Sequence, residues 1–253
     1  MHGEQAHGLG AAHGSWLHFA YRLGLPERIA EPVVNTWLII ILLALGSYLA
    51  TRRLDLLPHS VQNLLEWLLE QMEAFTTQIM GPQGKTFVPL IGTLFLYIFV
   101  MNAFGLIPGF LSPTANLNTT LALAICVFAA TQYQGLRSQG LLGYLKHLWG
   151  QPWYLGPLML PIHLIEEFLA RPLSLAIRLF GNVFGEDTVI AQLGGMVVVS
   201  ALVGLLSFMT IGLFSLLLQT AIIAFALFTS LVQALIFAAL ASVYIAGATE
   251  AHD

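Results

Sequence analysis

Two arginines, Arg171 and Arg178, stand deep inside the longest hydrophobic part of this sequence. A guanidinium stays protonated under all relevant conditions, so neither side chain can shed its charge to enter an apolar medium. At about 100° per residue a helix places His163, Glu167, Arg171, Ser174, Arg178 and Asn182 within roughly a quarter-turn of one face. The remaining faces of that helix are lipid-like. A charge near the bilayer centre costs about 2.5–3.5 kcal/mol on insertion scales, and such residues usually face a water-filled cavity or an ion path. The pattern therefore reads as ion translocation, with Arg178 as a fixed counter-charge. A purely structural anchor would not need Arg178, and leucine there would be harmless.

A second polar stripe lies nearer the carboxyl terminus. From Thr188 to Thr249 the chain carries no formal charge, a stretch too long for one ordinary span. Gly194-Gly195 offers the best break, giving one long helix over 158–193 and another over 197–249. On the second, Ser215, Gln219, Gln233 and Tyr244 share a face, with Ala226 between them. Two striped helices joined by one turn can face each other and line a path, because lipid excludes both stripes. The competing reading is helix-to-helix hydrogen bonding that serves packing alone.

The scaffold around these residues is set by composition. With 57% hydrophobic and 9% charged residues in 253, the chain is an all-α polytopic membrane protein. Its net charge of −4 and nine scattered basic residues leave no nucleic-acid footprint. Residues 1–32 read as an extracytoplasmic segment with a short surface helix around Ser15–Leu23; they lack the basic start and apolar core of a secretory signal. The irregular spacing of His2, His7, His13 and His18 in a Gly-rich setting argues for a solvated tail rather than a metal site. Residues 33–50 form the first span, and Arg52-Arg53 places its end in the cytoplasm. The leucine-rich segment 60–80, interrupted by Glu66, Glu70 and Glu73, is predicted as an amphipathic helix at the cytoplasmic interface, stopped by Gly81-Pro82. Further spans fall at 86–107 and 119–135, with Asn118 or a neighbouring threonine capping the latter and Arg137 and Lys146 marking its cytoplasmic exit. Residues 138–157 read as an interfacial loop, and Pro172 should kink the helix beyond it. The count is about five membrane-embedded helices plus one interfacial helix, amino terminus outside and carboxyl terminus in the cytoplasm. The single cysteine, Cys126, lies in an apolar run and reads as a small buried hydrophobe.

The sequence resembles subunit a of the bacterial F-type ATP synthases in three places: RPLSLAIRLFGN from Arg171 to Asn182, PTANLNTT from Pro113 to Thr120, and QALIF from Gln233 to Phe237 with Tyr244 beyond it. The resemblance implies a proton-translocating stator subunit of the bacterial inner membrane, multi-pass, lying beside a ring of carboxylate-bearing hairpins, the c-ring. Its other implied partners are the subunit b peripheral stalk and the lipid bilayer, and it implies neither a cofactor nor a metal. The last two helices would be long and run tilted along the ring, forming two offset half-channels. Arg178 would be the essential residue, with Asn182, Gln233, Gln219, Tyr244, His163, Glu167, Asn116 and an acid at Glu186 or Asp187 lining the channels. Asn116 stands where relatives often carry Asp, and Ala226 where some carry His or an acid. The acid that continues the arginine motif falls on Asp187 in a gapless comparison, one residue after Glu186.

Other classes fit less well. A secondary transporter would show internal repeats with paired broken helices, and none is evident. There is no GxxxxGK[ST] phosphate loop, so the chain is not expected to hold the nucleotide or to be an enzyme on its own. The choice between proton and sodium rests with a carboxylate site on the partner ring.

Overall fold

The computed structural model describes residues 27–52, 60–107, 110–149 and 153–249. The expected surface helix, the amino-terminal histidines and Pro108-Gly109 lie outside these residues. Among the described residues the chain is helical, with no strand. Five stretches are long and apolar enough to cross a membrane: Pro32–Thr51, Gln62–Phe104, Leu117–Tyr144, Gly156–Val203 and Leu205–Thr249. This is an all-α, multi-pass membrane protein.

Helix α1 (Glu27–Thr51) begins earlier than expected and contains Pro32. Most of its surface is turned outward, including Trp37, Ile41 and Leu45, but Ile39 reaches the core and Asn35 is buried. The Asn35 amide nitrogen donates to Leu111 O at 3.0 Å and so ties the start of α1 to the 110–116 turn. Helix α2 (Ser60–Met80) is amphipathic and presents a narrow inner edge, Met72 and Thr76. A 3-10 segment, Gly81–Phe87, reverses the chain into α3 (Val88–Phe104), and Lys85 pairs with Glu73 across this reversal at 2.8 Å. The turn after α3 is held by a buried network: Ser112 Oγ donates to Met101 O at 3.0 Å, and Thr114 Oγ1 to Asn102 Oδ1 at 2.7 Å.

Helix α4 (Leu117–Trp149) outruns the expected span. Sequence reading ends it at residue 135 and opens a loop at 138, yet helix continues on both sides of Gly140 to Trp149. Gly140 sits at φ 68°, ψ 170°, a conformation that costs glycine little, so the chain changes direction without losing its helical habit on either side. The cap is Asn116 rather than Asn118: its Oδ1 accepts the Asn118 backbone N–H at 2.9 Å, and its carbonyl accepts from Thr119 and Thr120.

Helix α5 (Gly156–Leu164) passes into a π-helical turn, Ile165–Ala170, and then into α6 (Arg171–Val203). Pro172 lacks a backbone N–H and crowds the carbonyl four residues earlier. The wider π turn just ahead of it absorbs both problems, so the expected kink takes the form of a local widening. Helix α6 runs straight through Gly194-Gly195, where the sequence reading breaks it, and stops at Gly204. Gly204 adopts φ 143°, which other residues rarely reach. Beyond a short turn, Leu205–Ser207, and a second π segment, Phe208–Gly212, helix α7 (Leu213–Thr249) returns along α6. At 33 and 37 residues, α6 and α7 are about 50–55 Å long, well beyond the ~30 Å hydrocarbon thickness, so both must incline to stay embedded.

The core lies where α3, α4, α6 and α7 meet and is built from Ile91, Phe95, Ile98, Met101, Val127, Leu175, Leu179, Phe237 and Ile245. Helix α7 contributes an alanine face, Ala226, Ala234, Ala238 and Ala241, all fully buried, which lets neighbouring backbones approach closely. Outer positions stay apolar: Leu202 and Leu206 are each 82% exposed, as a lipid-facing surface requires. Cys126 is exposed rather than buried, contrary to its expected place.

Candidate functional site

The antiparallel pairing of α6 and α7 brings polar side chains of α7 against α6. Tyr244 lies beneath Arg171, with the guanidinium carbon 5.5 Å from the ring centroid. Thr229 donates to Glu186, Gln219 Nε2 approaches Ile190 O at 3.5 Å, and Ser215 approaches the Met196 sulfur at 3.9 Å. Three members of the predicted α7 stripe, Ser215, Gln219 and Tyr244, thus face α6. Gln233 is 6% exposed and Ala226 is fully buried, both inside the bundle.

The expected polar face of α6 is not one face. A continuous α-helix would align His163 and Glu167 with Arg178, but the π turn between Ile165 and Ala170 rotates the residues on its amino-terminal side relative to those on its carboxyl-terminal side. His163 is diverted to α4, where Nδ1–H donates to Leu148 O at 3.1 Å. Glu167 turns inward and is 7% exposed. Asn116, a channel candidate by resemblance, has its side chain occupied as the α4 cap.

Two polar clusters result. At one end, Glu167 Oε1 lies 3.6 Å from Arg171 Nη1, while Arg171 Nη2 is 3.4 Å from Glu166 Oε1. The Tyr144 hydroxyl is 3.1 Å from Glu167 Oε2 and also lies against the Gln132 side-chain amide. Thr131, Gln132, Glu167, Arg171 and Tyr244 are the polar residues lining a cavity of about 10 Å³, room for roughly one water molecule. Nearby, Ser138 and Gln139 of α4 donate to Ala248 O of α7 at 3.1 and 3.2 Å, so this is the carboxyl-terminal end of the bundle.

Further along α6, Asn182 Nδ2 donates to Glu186 Oε1 at 3.2 Å, and the same oxygen accepts from Thr229. Asp187 stands beside it with Oδ2 buried and without a hydrogen-bond partner among the described residues. Both acids are half-buried. A carboxylate oxygen turned inward and left open is a site for a proton or a water molecule.

Arg178 lies between the clusters, and its surroundings differ from both. It is exposed and has no ion-pair or hydrogen-bond partner among the described residues. Ser174, Gly181 and Gly185 share its outward face, and a Cβ added at either glycine would meet nothing within 4 Å. Behind it Leu175, Ala176, Leu179 and Val183 pack into the core. The result is a fixed cation on a smooth, outward strip of helix.

Sequence reasoning missed Thr229, Tyr144 and Gln132. Thr229 carried a signal, lying one helical turn before Gln233 on the stripe side. Tyr144 carried none, because its approach to Glu167 depends on the turn at Gly140.

Similarity to known proteins agrees with this architecture. The family described as "ATP synthase A chain" matches residues 33–246. The chain belongs to this family. Among its relatives, "ATP synthase subunit a" of Protochlamydia amoebophila (strain UWE25) is 39% identical over 239 residues, covering 92% of this chain and 83% of the relative. "ATP synthase subunit a 2" of Syntrophotalea carbinolica is 40% identical over 236 residues, covering 92% and 93%. The Geobacter sulfurreducens "ATP synthase subunit a" is 39% identical over 228 residues, covering 90% and 91%. In this family the chain is a membrane-sector subunit and not a catalytic one.

Proposed function

We propose that this chain is the stator of a rotary ATP synthase membrane sector and carries protons through two offset half-channels against the c-ring. The observation that carries the reading is Arg178: an unpaired guanidinium on an outward strip of small residues, flanked along one helix by two separate polar clusters. Such a cation keeps an approaching carboxylate ionised and prevents the two clusters from joining into one leak. It is a counter-charge and a barrier, not a proton carrier.

In this reading the Glu186–Asp187 cluster, with Asn182, Thr229 and Gln219, serves the extracytoplasmic half-channel. The cytoplasmic one opens at the carboxyl-terminal end of the bundle, where Thr131 and Gln132 border the small cavity. The amino terminus is extracytoplasmic and the carboxyl terminus cytoplasmic, in keeping with Arg52 and Arg137 by the positive-inside rule. Subunit b and lipid cover the exposed apolar faces, α1 among them. Each proton crossing releases about 2.3 kcal/mol per 100 mV, which ring rotation passes to distant catalytic subunits.

The test is Arg178→Ala in the assembled complex, reconstituted into vesicles under an imposed proton gradient. Insertion should be normal, since deleting a membrane charge lowers its cost, while ATP formation should be lost and passive proton uptake retained or increased. ATP formation close to the unmodified rate would overturn the reading and make Arg178 a packing residue.

A further inference from the structure

Helix α6 carries two arginines, and only one of them is bare. Arg171 and Arg178 are seven residues apart in continuous α-helix, so they stand on the same face about 10.5 Å apart along the axis. A partner carboxylate that can meet Arg178 is therefore within reach of the field of Arg171. An uncompensated guanidinium there would hold a carboxylate ionised at a second place, two turns from the first. The structure deals with this charge in three ways: Glu166 at 3.4 Å, Glu167 at 3.6 Å, and the face of Tyr244 at 5.5 Å.

Of the two carboxylates, Glu167 is the one built in. Glu166 is exposed, whereas Glu167 is turned inside by the π turn and gripped from another helix by Tyr144. The Tyr144 hydroxyl has one proton and lies against two neighbours, Gln132 and Glu167. In the structure Gln132 Oε1 faces the phenol, giving one proton two acceptors; turning the amide over lets Gln132 N–H donate to Tyr144 while Tyr144 O–H donates to Glu167 Oε2. The other oxygen, Oε1, is left to face Arg171.

We propose that Glu167, held by the positioning residue Tyr144, silences Arg171, so that Arg178 is the one guanidinium of α6 presented to the partner's carboxylates. This rests on the stator reading above and extends it. Glu167 on this view sets where the ring stops, not whether the subunit folds.

The experiment uses the complete complex in vesicles, with ATP formation measured under a proton gradient, and separates silencing from a simple structural tie by an asymmetry. A structural tie predicts the opposite asymmetry, because Arg171→Gln strands the buried Glu167 carboxylate while Glu167→Gln leaves Arg171 with Glu166 and Tyr244, so equal or greater damage from Arg171→Gln would mark one. Silencing predicts that Glu167→Gln lowers the rate roughly tenfold, that Arg171→Gln stays within about twofold, and that the double variant recovers to the Arg171→Gln level. Equal damage from the two single variants, or no recovery in the double, overturns the proposal. Tyr144→Phe provides a second route that removes no charge: it should lower the rate a few-fold, and adding Arg171→Gln should correct it. Failure of that correction overturns the positioning role. Arg178→Ala in the same series keeps the two ideas apart. If it is inactive while Glu167→Gln is fully active, only the silencing is lost; if it is active, the stator reading itself is lost.

Discussion

Arg171 and Arg178 have the same side chain on the same helix and the same face, but their surroundings give them opposite properties. Arg171 folds back onto two carboxylates and an aromatic ring, partly out of solvent. Arg178 extends from a strip bearing Ser174, Gly181 and Gly185, with no partner among the described residues. The contrast shows that a charge in an apolar helix is not in itself a functional site. What distinguishes Arg178 is that nothing among the described residues compensates it; on the proposed function, the partner's carboxylates do.

The largest effect that would break this comparison is at Arg178. Arg178→Lys should lower ATP formation by about a hundredfold or more, because an ammonium lacks the planar fork and can lose its proton when desolvated. Vesicles carrying that variant should be assayed beside Arg171→Lys, and comparable losses in the two would erase the distinction. Next is the far cluster: Glu186→Gln together with Asp187→Asn should reduce proton flux about tenfold, more than either change alone. An unchanged flux in the double variant would remove the acid pair from the path and leave Arg178 flanked on one side only.

Gly204→Ala should act on the scaffold rather than the charge. Holding alanine at φ 143° costs about 1–3 kcal/mol, so the purified complex should unfold at lower temperature while flux per assembled complex changes little. If flux collapsed without loss of thermal stability, the hinge between α6 and α7 would itself have to move during the cycle. The smallest effect is expected for Arg171→Lys, within about twofold, since an ammonium can still meet Glu166, Glu167 and the Tyr244 ring.

Much of the site could be read from the sequence because membrane makes polar residues conspicuous. Arg178 stood out by cost, and the α7 stripe by spacing, with three of its members meeting α6 in the structure. The rest required backbone detail that composition does not encode. Pro172 signals a disturbance but does not say whether the helix kinks, ends or widens; it widens, and this one choice removes His163 and Glu167 from the Arg178 face. Gly194-Gly195 and Gly204 look alike in sequence, and only the path of α7 decides which one leaves helical geometry. Gly140 similarly reads as a loop signal, although it reorients a helix and delivers Tyr144 to Glu167.

The alanine face of α7 has a mechanical consequence. Ala226, Ala234, Ala238 and Ala241 are all at 0% exposure, so this helix meets its neighbours with little intervening side chain. A seam of that kind has low compressibility and no room for the helix to roll. If a partner pushes at Arg178, as the proposed function requires, the load is taken up as shear across a broad contact rather than as bending of a single rod. On the stator reading proposed above, a subunit that yielded would store part of each step as its own elastic deformation, whereas a stiff seam returns the reaction force to the ring.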